Sequence, residues 1–178
     1  MNWEYYQQIA KSNALRKSRD KEKNFILSHL DRLPSLLEIA FNTKDTNHHK
    51  ACWILELVCQ EKLELLLPYL DAFCNNLPLF QNDSALRSIS KICLFLTQNN
   101  GLTLTTFQQN KIIEACLDWL ITENKVATKV YAMYTLANFS QNHFWLKETL
   151  HNLILKDFFH QSPAYKAATK AVLRKINK

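Results

Sequence analysis

The chain has 178 residues, 47% of them hydrophobic, and a net charge of +6; that length buries the core of one domain without disulfides or metals and excludes two ordinary domains. Its single glycine, Gly101, and four prolines exclude β-rich and doubly wound folds, whose many turns need both residues, and exclude a glycine-rich phosphate loop. An all-α fold is expected, and the domain is taken as 1–178.

At the N-terminus, Trp3, Tyr6, Ile9, Ala10 and Asn13 recur on one side and predict a capping helix over 2–18. The basic stretch Arg16 to Lys23 is expected to complete this segment, 1–23, as a linker to a helix beginning near Asn24. No basic leader followed by an apolar run is present, and no apolar stretch approaches the roughly 20 residues of a membrane span. The protein is therefore expected to be soluble and cytoplasmic, with no membrane partner.

Four later segments can be laid over one another: KACWILELV from Lys50, RSISKICLF from Arg87, KVYAMYTLA from Lys129 and KAATKAVLR from Lys166. In each a basic residue precedes a leucine by seven positions (Leu57, Leu94, Leu136, Leu173), and the register steps are 37, 42 and 37 residues, the span of a two-helix repeat. Capping residues stand upstream of each: Asp45-Thr46-Asn47, Asn82-Asp83-Ser84, Thr122-Glu123-Asn124 and Ser162-Pro163. Before each turn a first helix is predicted, over Pro34–Phe41, Leu63–Phe73, Phe107–Ile121 and Phe144–Phe159. Both helices of a pair carry apolar residues at three- and four-residue spacing, so one pair alone leaves a face to bury and stacked pairs do not. The repeats are placed at 24–60, 61–100, 101–140 and 141–178.

The proline-bearing run Leu65-Leu-Leu-Pro-Tyr-Leu70, and Asn82-Asp83 followed by Arg87, resemble the HEAT-like helical repeat (armadillo-type) family over about residues 24–177. That resemblance implies a right-handed α-solenoid of about four HEAT-like two-helix repeats with an extra N-terminal helix. More narrowly, Lys50-Ala-Cys-Trp-Ile-Leu-Glu56, Glu61 to Asp71 and Glu114 to Ile121 are similar to a group of short bacterial HEAT-like proteins often labelled adenylosuccinate lyase. The Met-Pro-x-Lys-x-Asn signature and Ser-Ser-rich loop of that lyase superfamily have no match in the chain, so a lyase ranks last among the functions considered.

Five cysteines (Cys52, Cys59, Cys74, Cys93, Cys116) form no C-x-x-C pair and lie in apolar helical stretches, where reduced thiols acting as small hydrophobes are expected. No H-E-x-x-H or Cys/His cluster is found, and adjacent His48 and His49 diverge by about 100° on a helix, so no metal and no cofactor are expected. These two histidines are read as turn and cap residues. No serine or cysteine has a recognisable base or oxyanion donor beside it in the sequence pattern, so no catalytic residue is assigned.

The candidate binding groove comprises Lys50, Trp53, Glu56, Arg87, Lys91, Lys129, Lys166 and Lys170. Second helices of a solenoid commonly line its inner face, where these cations would meet phosphate or carboxylate groups. The ordinary alternative is a structural ladder in which Asp45, Asp83 and Glu123 pair with the basic positions at the turns. Trp53 stands where the other repeats have Ser90, Ala132 and Thr169. It either fills the space beneath the N-terminal helix, as Trp119 and Trp145 are expected to fill core positions, or lies exposed beside Glu56 to stack on a base or ring. The leading expectation is a non-enzymatic interaction module, monomeric, binding a protein partner; the alternative is a nucleic-acid-binding protein similar in mode to the alkylpurine DNA glycosylases built on HEAT-like repeats.

Overall fold

The computed structural model describes residues 2–98, 101–122, 125–156 and 158–177, and among these the regular structure is helical throughout, ten α-helices and four short 3-10 segments. No helix among them is long and apolar enough to cross a membrane. The chain divides into two compact units, residues 1–92 and 93–178, the division falling inside α6.

The first unit contains α1 (Trp3–Lys11), α2 (Arg16–Ser28), α3 (Leu33–Phe41), α4 (His48–Glu61), α5 (Leu70–Asn76) and the first part of α6 (Asp83–Gln98). Asn2 caps α1 by accepting from the Tyr5 amide at 2.9 Å. The stretch 16–23, expected as a linker, is instead the first half of α2. Arg16, Lys17 and Lys21 face solvent, Arg16 pairing with Asp20 one turn on at 2.8 Å, while Glu22 and Ile26 point inward. Few apolar residues mark that inner face, so hydropathy alone reads the segment as loop. Trp3, expected on the buried side of the first helix, is 64% exposed and stacks on Tyr6 with ring centroids 5.3 Å apart.

Pro68 explains why the helix expected over Leu63–Phe73 is broken. Proline offers no N–H and its ring crowds the carbonyl four residues back, so residues Leu63–Tyr69 wind as a 3-10 helix before α5 begins at Leu70. The core of this unit is built from fully buried Ile9, Ile26, Leu36, Ile54, Phe73 and Ile89. Each such side chain contributes about 1.5–3 kcal/mol on removal from water.

In the second unit lie the end of α6, then α7 (Thr106–Thr122), α8 (Val126–Phe139), α9 (Phe144–Leu155) and α10 (Pro163–Ile176). A reciprocal cap starts α7: the Thr105 hydroxyl accepts from the Gln108 amide at 3.2 Å, and the Gln108 side chain accepts from the Thr105 amide at 3.0 Å. At α10, Pro163 takes the first helical position and the Ser162 hydroxyl accepts from the Tyr165 amide, as the sequence predicts. Helix α8 packs against α7, α9 and α10. It carries buried residues around most of its circumference, Thr128, Ala132, Met133, Thr135, Leu136 and Ala137 among them, which is what a helix with neighbours on several sides requires.

Trp119 is buried as expected, but Trp145 is 55% exposed. The buried stripe of α9 is Leu146, Leu150 and Ile154, and Trp145 lies about 100° off it. All five cysteines are buried. Burial pushes the thiols of Cys52 and Cys59 well above the usual range and that of Cys74 up to about 12, so these three stay protonated and inert near neutral pH.

Candidate functional site

The eight candidate groove residues fall into two sets. Lys50, Trp53, Glu56, Arg87 and Lys91 belong to the first unit, and Lys129, Lys166 and Lys170 to the second.

In the first unit, Glu56 organises the set. Its position on α4 would be an exposed acid if it stood beside an exposed Trp53, yet Glu56 is only 2% exposed. A buried carboxylate is costly unless its lone pairs are filled. Lys91 donates to one oxygen at 2.7 Å and Ser88 to the other at 2.7 Å, while an Arg87 guanidinium nitrogen lies 3.9 Å away. Ser88 and Lys91, three residues apart on α6, present their side chains to the same spot. Glu56 therefore clamps α4 to α6 and holds Arg87 and Lys91 in place.

Lys50 is used differently. It donates to the Ala10 carbonyl in the last turn of α1, where a cation meets the negative end of the helix dipole and satisfies a terminal carbonyl. Asp45, expected as a ladder partner of Lys50, accepts from Tyr6 at 3.2 Å and from the Asn47 amide at 2.7 Å. Arg87 lies against Glu56, a partner the ladder reading did not include. Glu123 and Asn124 lie outside the described residues.

Trp53 is half-buried, its ring edge-on to His49 with centroids 5.0 Å apart. Ser90, Ala132 and Thr169, the small residues at the matching register, are fully buried. Trp53 instead lines a surface hollow of about 160 Å³ with Ala14, Arg19, Ser84 and Arg87. Arg19 and Ser84 did not stand out in the sequence as site residues: Arg19 belonged to the apparent linker, and a serine in a capping turn is commonplace. The available signal was the seven-residue spacing from Arg19 to Ile26, which places both on the inward side of one helix.

In the second unit, Lys129 lines a small hollow of about 100 Å³ together with Ile121, Leu153, Lys156, Gln161 and Tyr165. Lys166 donates to the Phe159 carbonyl at 2.9 Å and sits 6.0 Å from the centroid of the Phe158 ring. Lys170 is exposed on α10.

His48 is buried at the start of α4, stacks on Phe80, and its Nδ1 has no hydrogen-bond partner where it borders a hollow of about 390 Å³ next to Asp45, Thr46 and Asn82. Burial first, then the neighbouring His49, hold its pKa below the ordinary 6.5, against the smaller opposing effects of a hydrogen bond with the Ala40 backbone and of the Asp45 charge. The unfolded chain therefore takes up this proton before the folded one does. The His48 contribution to stability is present above pH 6.5 and is lost as pH falls through the depressed folded value. Urea unfolding of the parent and of His48→Asn at pH 7 and pH 5 is expected to show a smaller acid-induced loss in the variant; equal losses would remove His48 as the cause. Glu22, raised by burial and partly offset by the hydrogen bond from Gln8, contributes with the opposite sign in both proteins and cancels in the comparison.

Among the described residues no group of three His, Cys, Asp or Glu side chains is placed to hold a metal ion. These features define an all-helical protein with a cationic, tryptophan-walled hollow in its first unit. No protein-family model, no curated protein and no solved structure matches the chain.

Proposed function

We propose that the chain is a non-enzymatic helical-repeat module that binds a protein segment. Its helix pairs α3/α4, α5/α6, α7/α8 and α9/α10 would be four HEAT-like repeats of a right-handed solenoid, following α1 and α2. The order of the helices and the recurring basic register of the second helices support this reading. So does the packing of α10 on α8 within the second unit, since second helices of successive repeats stack on one another.

The observation that carries the binding role is the second unit's mixed apolar and basic surface. Ile121 is 63% exposed and Phe159 84% exposed, and Lys129, Lys156 and Lys166 lie close to them in the fold. Large apolar side chains left in water beside cations suit a segment bearing both apolar and acidic residues, because aromatic anchors supply contact area and the charges steer approach.

Affinity capture with the parent and with an Ile121→Ala/Phe159→Ala double variant tests this. A partner retained by the parent and lost by the folded variant is the expected result. Equal retention by both removes this surface from the binding role. A nucleic-acid role is supported by the basic excess at the two chain ends, where 1–32 carries seven Lys/Arg against four acids and 156–178 carries six against one. Salt-sensitive binding of generic duplex DNA, lost on reversing Lys129 and Lys166 to Glu, would replace the protein partner with this one.

A further inference from the structure

We infer that the hollow in the first unit binds a nucleoside 5′-monophosphate group, its phosphate between Arg19 and Arg87 and its base against Trp53. This goes beyond the proposed protein-binding role and uses a different surface.

Three observations carry it. The first is the lining: two arginines, Trp53, Ser84 and the small Ala14 around about 160 Å³. At about 30 Å³ for each water, that space holds roughly five, enough for the one phosphorus and four oxygens of a phosphate. A whole nucleotide does not fit inside, so its base would lie at the rim, where the half-buried Trp53 offers a planar partner.

The second is the state of Arg19. Its Nε is shut off from solvent and has no hydrogen-bond partner. A buried donor left unpaired is unfavourable, and a small turn of the guanidinium toward an oxyanion in the hollow would give it an acceptor. A guanidinium presents a planar fork of donors that matches phosphate oxygens two at a time.

The third is the local balance of charge. Arg16 is paired with Asp20 at 2.8 Å and Lys91 with Glu56 at 2.7 Å. Glu56 also faces Arg87, but at 3.9 Å and with its two oxygens already taken by Lys91 and Ser88. The guanidinium donors of Arg87 are therefore largely uncommitted. Arg87, whose nearest carboxylate stands at 3.9 Å, and Arg19, whose neighbour Asp20 is paired with Arg16, suit a dianion better than a single carboxylate.

The start of α6 adds less than a helix N-terminus often does. Asn82 already accepts from the amides of Ser84 and Ala85, at 3.0 and 3.2 Å. What remains for a ligand is the Ser84 hydroxyl and the positive end of the helix dipole. Glu56 is a positioning residue here, since it fixes Arg87 and Lys91 from behind the hollow.

Isothermal titration of the full chain with thymidine 5′-monophosphate, thymidine and inorganic phosphate at low salt tests the assignment. The monophosphate is expected to bind at least about tenfold more tightly than thymidine, and Arg19→Gln or Arg87→Gln to weaken it about tenfold or more. Trp53→Leu should weaken the monophosphate while leaving inorganic phosphate unchanged. Ala14→Glu, at an exposed rim position, places a carboxylate at the hollow without touching the core and should abolish binding of both.

A short oligothymidylate, with and without a 5′-phosphate, separates the two sources of this group. Preference for the phosphorylated strand over the free nucleotide assigns the site to strand ends; equal affinity assigns it to free nucleotides. Either result supports the proposal. It is overturned if thymidine binds as well as its monophosphate, if Ala14→Glu binds like the parent, or if a phosphotyrosine peptide binds where the nucleotide does not.

Discussion

Replacing Lys91 with methionine is expected to lower the unfolding free energy by about 3 kcal/mol, the lower end of the range for removing one partner of a buried ion pair. The reason lies in the asymmetry of the pair. Glu56 is 2% exposed, whereas the Lys91 side chain keeps 23% of its surface in water. Losing the lysine strands a carboxylate with one hydroxyl donor and a guanidinium at 3.9 Å. Losing the glutamate leaves an ammonium that turns outward, so Glu56→Gln should cost less than Lys91→Met. The double variant Glu56→Gln/Lys91→Met is expected to recover part of the loss, because an uncharged amide is less costly to bury than an unpaired carboxylate. Urea unfolding followed by circular dichroism gives all three values. Additive losses in the double variant would show that the two side chains do not act as a pair.

Phe73→Ala is expected to cost about 3–5 kcal/mol, comparable to or larger than the Lys91 effect. Phe73 is fully buried at the middle of the short helix α5 and faces Phe41 of α3, with ring centroids 6.3 Å apart. Helix α5 has only seven residues and is flanked by 3-10 segments on both sides, so local hydrogen bonding contributes little to it. Its place depends on what its side chains bury. Phe73→Leu, which keeps most of the volume, should cost clearly less than Phe73→Ala. If the two variants unfold at the same urea concentration, the ring is not packed as described.

Much of the helical organisation is legible from periodicity and punctuation. The helices expected over Pro34–Phe41 and Phe107–Ile121 match α3 and α7 to within a residue at each end. Strong apolar spacing marks both, with Pro34 in the first turn of α3 and the Thr105–Gln108 cap at the start of α7. The reading fails where those signals are weak or opposed. In α2 the buried side is marked by only a few residues, one of them the charged Glu22, so a helix resembles a linker. Around Pro68 the apolar spacing continues while the backbone loses a donor, so the periodicity points to one helix and the chain makes two different ones.

The candidate site was legible only in part, for a related reason. Lys50, Arg87, Lys129 and Lys166 share a register, and register is a property of one helix at a time. Three of their partners are the Ala10 carbonyl, Glu56 and the Phe159 carbonyl, which no sequence spacing connects to them. Trp53 was visible because it interrupts a run of small residues. The arginine across the hollow from it was not, because Arg19 lies 34 positions earlier in a segment with no apolar pattern of its own.

The sequence by itself determined that this protein is helical, because one glycine, few prolines and three- and four-residue apolar spacing leave the backbone little else to form. It also marked the starts of α6 and α10, through the Asn82 and Ser162 side chains, which satisfy amides only a few residues away. Tertiary structure alone decided which charges are spent and which are available. Glu56 is buried with Lys91, Lys50 caps α1, and Arg19 meets Trp53 at one hollow. Local hydrogen bonds and propensities act within a few residues and can be read along the chain. The protonation, burial and pairing of a side chain depend on groups brought from distant positions, and those are settled only when the helices pack.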